Sequence, residues 1–364
     1  MNVAVLGCGV VGGGVVNILR NGVEGIKLKK ILDVRERFNK DYIELYTDNV
    51  NEIISDESID IVVETMGGHD FSYNCIKRAL NAGKNVVTAN KEVIAQHLKE
   101  LTALAAEKNV YLMFEASAGG GIPCLKPISN MAKINETKSA VGILNGTTNY
   151  ILTRMQESGI DYDSALREAQ EKGFAEKDPT NDVEGLDMVR KIAIISMLCF
   201  KQEISIKDVY HFGITGVTPK FIAFADALGY SLKFTCFSEN AEDMISIGVE
   251  PVLVKKGELL SGVRYETNVV KVSTDPNDDV LFIGKGAGRM PTAAAIVADI
   301  VTIRDDGEKM CFEDKNNKKV GIKNEKIAAI VDDGKEIKVV TNVDSDSVRF
   351  GNYKFYARII EGEL

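Results

Sequence analysis

Asp187 and Lys191 stand four residues apart and lead into Ile192-Ala193-Ile194-Ile195-Ser196-Met197-Leu198-Cys199-Phe200, a run apolar almost throughout. That spacing puts the carboxylate and the amine on one face of a helix. On an exposed helix such a pair is a surface ion pair contributing about 0.3–0.5 kcal/mol. A helix apolar on nearly every side is instead buried, and its lysine then stands at the mouth or floor of a cavity. An acidic turn, Glu176-Lys177-Asp178-Pro179-Thr180-Asn181-Asp182, precedes this helix, which is expected to begin near Val183 and run toward Phe200.

A second constellation opens the chain. Gly7-Cys8-Gly9-Val10-Val11-Gly12 follows the apolar Val3-Ala4-Val5-Leu6 and precedes Val15-Val16-Asn17-Ile18-Leu19. Strand, glycine turn and helix in this order let the backbone approach a pyrophosphate and seat its charge on the helix N-terminus. A further apolar run, residues 28–34, carries Asp33, 21 residues beyond Gly12. That is the spacing of the acid that holds an adenosine ribose. Arg35 and Arg37 follow at once and are suited to a 2′-phosphate instead, so NAD and NADP both stay open.

The elements that must position these groups are readable as alternating strands and helices. Strands are expected at residues 59–64, 85–88 and 110–114, with helices around 72–82 and 93–108, which predicts a parallel sheet covered on both faces. Each strand ends in a polar or glycine-rich turn, the edge of an open α/β sheet where ligands bind. From Ile122-Pro123 the texture changes. The expectation is α/β throughout: a dinucleotide-binding domain at 1–125, completed by a returning helix near 289–304, then a second domain at 126–288 and a small hairpin-rich β appendage at 305–364.

Composition narrows the function classes. With 364 residues, 45% hydrophobic and 27% charged, the chain is long enough for two packed domains and far from a disordered composition. A formal charge of −9 argues against a nucleic-acid partner, and the apolar runs fall short of a membrane span. The start lacks a basic region ahead of an apolar stretch, which makes a cytoplasmic location the expectation. Cys8, Cys75, Cys124, Cys199, Cys236 and Cys311 form no CxxC pair and read as reduced core thiols; His69, His97 and His211 are far apart in sequence, with no zinc spacing. An oxidoreductase working through a thioester would need Cys75 or Cys124 beside a base, and neither has a nearby histidine in an obvious motif.

Read together, the residues around the buried pair resemble the homoserine dehydrogenase family. Its signature, Ala-x3-Gly, Asp-Pro-x2-Asp, then Gly-x-Asp-x3-Lys, is met by Ala169, Gly173, Asp178, Pro179, Asp182, Gly185, Asp187 and Lys191. Thr88-Ala89-Asn90-Lys91, residues 115–123, Asn145-Gly146-Thr147-Thr148-Asn149-Tyr150, Gly284-Lys285-Gly286-Ala287-Gly288 and Pro291-Thr292-Ala293 also look like that family, so the resemblance covers residues 1 to about 304.

The resemblance implies a Rossmann-type cofactor domain and a substrate and dimerisation domain. It implies reversible NAD(P)-dependent reduction of L-aspartate 4-semialdehyde to L-homoserine, a step of threonine, methionine and isoleucine synthesis. It gives Lys191 the acid–base role, which suits a lysine at a dry site, and gives Asp187 the orientation of that lysine or a contact with the substrate's reacting end. Glu176 is implied to bind the substrate ammonium, with Asp182, Lys91, Asn145, Gly146 and Thr147 also on the substrate. For the cofactor it implies Gly7, Gly9, Val10, Val11 and Gly12 at the pyrophosphate, Asp33 or Arg35 at the ribose, Thr65 at the nicotinamide ribose, and contacts from Lys91, Gly173 and Gly288. Gly173 also reads as a helix C-cap. Glu115, Ala118, Gly120 and Ile122 match a monovalent-cation site, commonly Na⁺, built largely from carbonyls. The implied partners are the small-molecule substrate and a second copy of the chain. Phe174 departs from the tyrosine of many relatives, the tail does not resemble the family's regulatory domain, and no aspartate kinase portion is expected.

Overall fold

The computed structural model describes residues 1–34 and 39–360; Arg35 and Arg37 lie outside the described residues. Two compact units emerge, one of Met1–Ile134, Met197–Glu203 and Lys285–Asn316, the other of Asn135–Ser196, Ile204–Gly284 and Asn317–Leu364.

The first unit holds a six-stranded sheet in the order Tyr46–Thr47, Lys27–Leu32, Asn2–Leu6, Ile61–Glu64, Asn85–Thr88, Leu112–Met113, with parallel pairing throughout. Val3, Ala4, Val5, Leu6, Ile61, Val62, Val63, Val86 and Val87 are all fully buried, because a parallel sheet is covered on both faces and its strands are apolar on both sides. Helices Val10–Arg20, Asp70–Asn81 and Lys91–Glu107 follow three of these strands. The strand order reverses at Asn2–Leu6, beside Ile61–Glu64, which is where such sheets bind dinucleotides.

The second unit is built on a ten-stranded sheet whose main path runs Asp278–Lys285, Thr267–Asp275, Glu136–Ile143, Tyr230–Asn240, Met244–Lys255, Phe355–Ile359, Lys326–Asp332, Ile337–Asp344. Val141, Ile143, Phe237, Val252, Val254, Leu260, Val263 and Val269 form one apolar cluster of it. The structure draws the chain's last part differently from the sequence expectation of an appendage at 305–364. Residues through Asn316 belong to the first unit, and the strands beyond them complete the second unit's sheet, Phe355–Ile359 pairing in parallel with Met244–Lys255. Glu250 on that central strand is fully buried and meets Arg349 Nη2 at 3.1 Å, Arg358 Nε at 3.2 Å and the Tyr356 hydroxyl at 3.0 Å.

All six cysteines are free thiols, but Cys311 is exposed and Cys8 half-buried, so only four are core residues. Among the described residues no helix is long and apolar enough to cross a membrane.

Lys233, on strand Tyr230–Asn240, is buried with its ammonium on the Val263 carbonyl at 2.6 Å. Burial, with Arg264 adding to it, lowers its pKa from 10.5 to about 8. A depressed lysine contributes stability that is fully present above the unfolded pKa and is lost as pH falls toward the folded one. Urea unfolding is therefore expected to show about 3 kcal/mol of Lys233-dependent stability lost between pH 10.5 and about 8. Lys233→Met should flatten the profile in that window; an unchanged difference between the two proteins across it would contradict the assignment.

Candidate active site

In the first unit the glycine turn is shaped by its neighbours. A Cβ on Gly12 would lie 1.8 Å from the Gly7 carbonyl oxygen and 2.5 Å from Thr65 Oγ1, so only glycine closes this turn, whereas a Cβ on Gly9 would meet nothing within 4 Å. That open side is where a backbone can approach a phosphate. Gly9 N-caps helix Val10–Arg20 with no side-chain cap, and Val10 at its first turn is 70% exposed, which leaves the helix N-terminus ready for an anion. Thr65 donates to the Gly7 and Leu6 carbonyls at 2.8 and 3.1 Å, and Asp33 Oδ2 accepts from Cys8 N at 2.7 Å. Gly288 caps helix Arg289–Arg304, which packs on Val10–Arg20: Arg289 Nη2 reaches the Gly13 carbonyl at 3.2 Å. Gly12→Ala is expected to weaken binding of whichever dinucleotide the turn holds, NADH or NADPH, by about 1–3 kcal/mol, roughly 5- to 150-fold, in a fluorescence titration; wild-type affinity for both would show that the turn tolerates a side chain.

Sequence reasoning passed over Glu64 as a positioning group. This fully buried carboxyl accepts from Thr88 Oγ1 at 2.7 Å and from Met66 N at 2.8 Å, tying two strand ends together, and burial pushes its pKa up. Its signal was only an acid ending an apolar strand. Asn90 N-caps helix Lys91–Glu107 and donates to the Gly68 carbonyl at 2.7 Å, which sets half-buried Lys91 on the first helical residue.

Glu115, Ala118, Gly120 and Ile122 lie together in a buried loop of this unit. The Glu115 carboxylate itself is taken up by backbone donors. It takes backbone N–H groups from Cys124 and Leu125 at 2.6 Å and from Lys126 at 2.8 Å, capping helix Leu125–Ile134. Burial holds its pKa above the usual carboxylate range. Burial also raises Asp299, whose Oδ2 accepts from Glu115 N at 3.1 Å, to about 8, with the Glu115 charge adding to the effect. Among the described residues no group of three or more His, Cys, Asp and Glu side chains is arranged to hold an ion. Neither Cys75 nor Cys124 is an activated thiol: burial pushes Cys75 up to about 11 and Cys124 higher still.

In the second unit Asp187 and Lys191 ride on helix Leu186–Phe200 and are 6% and 8% exposed. The helix does not start at Val183. A short turn, Thr180–Val183, ends there, and Gly185 at φ +84° breaks the chain before the long helix begins. Lys191 Nζ donates to the Leu144 carbonyl at 2.6 Å and to Asp187 Oδ2 at 2.7 Å. Asn145 binds the same carboxylate oxygen through Nδ2 at 3.0 Å, and that Nδ2 also reaches Asp182 Oδ1 at 2.7 Å. Its Oδ1 caps helix Gly146–Ser158 at Thr148 N. The network thus brings Lys191, Asp187, Asn145 and Asp182 together across 46 positions of sequence.

Thr147 Oγ1 donates to the Phe174 carbonyl at 2.6 Å, joining that helix to the next turn. Gly173 is the left-handed residue after helix Tyr162–Glu171 (φ +76°), with Gly173 N on Gln170 O and Phe174 N on Ala169 O. This is a Schellman closure, so the C-cap reading of Gly173 holds. Phe174 stacks near Tyr150, centroids 4.9 Å apart, and Glu176 lies exposed two residues on.

This arrangement is matched by known families. Residues 7–115 fit the homoserine dehydrogenase NAD-binding domain, and residues 123–301 the homoserine dehydrogenase domain. The chain is 38% identical to homoserine dehydrogenase of Bacillus subtilis over 314 residues, which covers 83% of this chain and 72% of that protein. It is 40% identical to the Synechocystis enzyme over 83% of this chain and 73% of that one. The S. aureus homoserine dehydrogenase structure superposes with a TM-score of 0.81 at 32% identity, covering 100% of this chain and 99% of that one. With a nucleotide-ready glycine turn in one unit and a buried Asp–Lys pair in the other, the chain belongs to the homoserine dehydrogenase family, NAD(P)-dependent oxidoreductases that interconvert L-aspartate 4-semialdehyde and L-homoserine.

Proposed function

We propose that Lys191 is the acid–base group of this reaction, oriented by Asp187 and Asn145, with Glu176 and Asp182 receiving the amino-acid end of the substrate. The chain Leu144 O, Lys191, Asp187, Asn145 carries this reading, because it fixes an ammonium in a buried position with one of its three donors left for a substrate oxygen. Bound NAD(P)H supplies the hydride. The residues of this chain handle charge and proton: as the aldehyde oxygen gathers negative charge, Lys191 Nζ stabilises it and delivers the proton that makes the hydroxyl. In the oxidative direction neutral Lys191 takes that proton back, with Asp187 stabilising the ammonium it becomes.

Exposed Glu176 offers a carboxylate to the substrate ammonium, and Thr147 holds the turn that carries it. Gly146 leaves room beside Thr147, and Lys91 serves substrate carboxylate or cofactor. Gly7, Gly9, Val10, Val11, Gly12, Thr65, Gly173 and Gly288 form the cofactor's contacts, and Asp33, set beside the glycine turn, takes the ribose hydroxyls of NAD, with Arg35 the group for a 2′-phosphate of NADP. The backbone carbonyls of Glu115, Ala118, Gly120 and Ile122 offer a hard monovalent cation such as Na⁺ its ligands, since the Glu115 carboxylate is engaged in capping. The protein works as a cytoplasmic homodimer through the second unit's sheet, which light scattering checks.

Initial rates with L-homoserine and either NAD or NADP, followed by the absorbance of reduced nicotinamide, test the reading. Glu176→Gln is expected to raise KM for homoserine more than for cofactor. Equal effects on both would remove Glu176 from the ammonium site.

A further inference from the structure

Two of the three histidines, 28 positions apart, meet in the first unit. His69 follows the Gly67-Gly68 turn and precedes helix Asp70–Asn81, and His97 lies in helix Lys91–Glu107 where the backbone leaves helical geometry at φ −130°, ψ 16°. Their Nε2 atoms are 3.0 Å apart. On the other side of each ring stands a carboxylate: Asp70 Oδ1 is 2.8 Å from His69 Nδ1, and Glu100 Oε2 is 3.5 Å from His97 Nδ1. Tyr73 stacks on His97 with centroids 4.1 Å apart, and its hydroxyl and Lys77 Nζ hold Glu100 at 2.8 and 2.6 Å.

The Asp70 carboxylate at 2.8 Å keeps the proton of a neutral His69 on Nδ1, which turns its Nε2 lone pair toward His97. His97 Nε2 either donates to that lone pair or, with its proton on Nδ1 toward Glu100, presents a second lone pair, and the two together can bridge a metal ion. Imidazole binds first-row divalent ions at about 2.0–2.1 Å, and tetrahedral ligands at that radius are about 3.3–3.4 Å apart. A small side-chain rotation closes that gap. The side chains are 31% and 25% exposed, so water can complete the coordination.

We propose that His69 and His97 form a two-nitrogen chelate for a divalent first-row transition ion such as Zn²⁺, Ni²⁺ or Cu²⁺, with Asp70 and Glu100 orienting the rings. The ion would clamp the turn after strand Ile61–Glu64 to helix Lys91–Glu107, two segments already joined by the hydrogen bond from Asn90 to Gly68. Nothing in this depends on the assignment of Lys191.

Calorimetric titration of the full chain with nickel chloride is expected to show one ion per chain. Losing an outer-sphere partner of a metal ligand costs about 10- to 100-fold in affinity, so His69→Gln and His97→Gln should each cost at least about tenfold. His211→Gln should leave binding unchanged. Copper-loaded wild-type protein is expected to show two equivalent nitrogens in its electron paramagnetic resonance spectrum, a readout that stands even where a glutamine variant fails to fold. Absence of one-to-one nickel binding, unchanged affinity in either folded glutamine variant, or a single-nitrogen copper spectrum would each overturn the chelate.

Discussion

Lys191→Ala is expected to lower kcat by about 10²–10⁴-fold while leaving cofactor affinity near wild type. The size follows from the network described above. The substitution removes the proton donor and also takes from the buried Asp187 carboxylate the ammonium that faces it at 2.7 Å. Lys191→Arg keeps the charge, but its planar fork does not fit the two partners, Leu144 O and Asp187 Oδ2, held by the ammonium, so it should not restore the rate. Steady-state kinetics in both directions, with NADPH binding measured separately, make the check. A kcat within a few-fold of wild type would take Lys191 out of the chemistry.

The second large effect is on stability. Burial alone would push the Glu250 carboxyl up, yet Arg358 and Arg349 beside it outweigh burial and hold it below the usual carboxylate range. Arg349→Met removes a bidentate partner, whose contacts are at 3.1 and 3.2 Å, from a site with no access to water. Breaking a buried pair from one side costs about 3–5 kcal/mol, because the remaining charge stays buried. Denaturant melts of the second unit's transition are expected to show a loss of that size. Combining the substitution with Glu250→Gln should recover part of it, since the stranded charge is then gone. A loss below about 0.5 kcal/mol in the single variant would mean that Arg358 and Tyr356 suffice.

Local features were legible in the sequence. Strand, glycine turn and helix at the chain start followed from apolar period and glycine spacing, and the burial of Lys191 followed from the apolar run behind it, because both depend on near neighbours along the chain. Gly185 was a miss of a local kind: a helix was expected to run on from Val183, and the left-handed residue that breaks it gives no signal beyond being glycine. Other features depend on pairing across long separations, which no periodicity encodes. Asn145 reads as a helix cap, and nothing in its neighbourhood announces that its amide also holds Asp182 and Asp187. The tail reads as hairpins, and its short strands carry no mark of the sheet they join. The histidines were set aside because they are distant in sequence, yet parallel-sheet topology places successive strand ends side by side and brings two of them into contact.

The route of the chain through the second unit's sheet also bears on how the protein is made. On the side of strand Met244–Lys255 away from Tyr230–Asn240, the backbone at Val252 and Leu253 is covered only when Arg358 and Ile359 have been synthesised, about a hundred residues later. At about 5–20 residues per second, a ribosome leaves that apolar edge uncovered for roughly 5–20 s. The nascent chain is then most exposed to pairing with its own neighbours on a polysome, and slower translation of the last strands would prolong that interval.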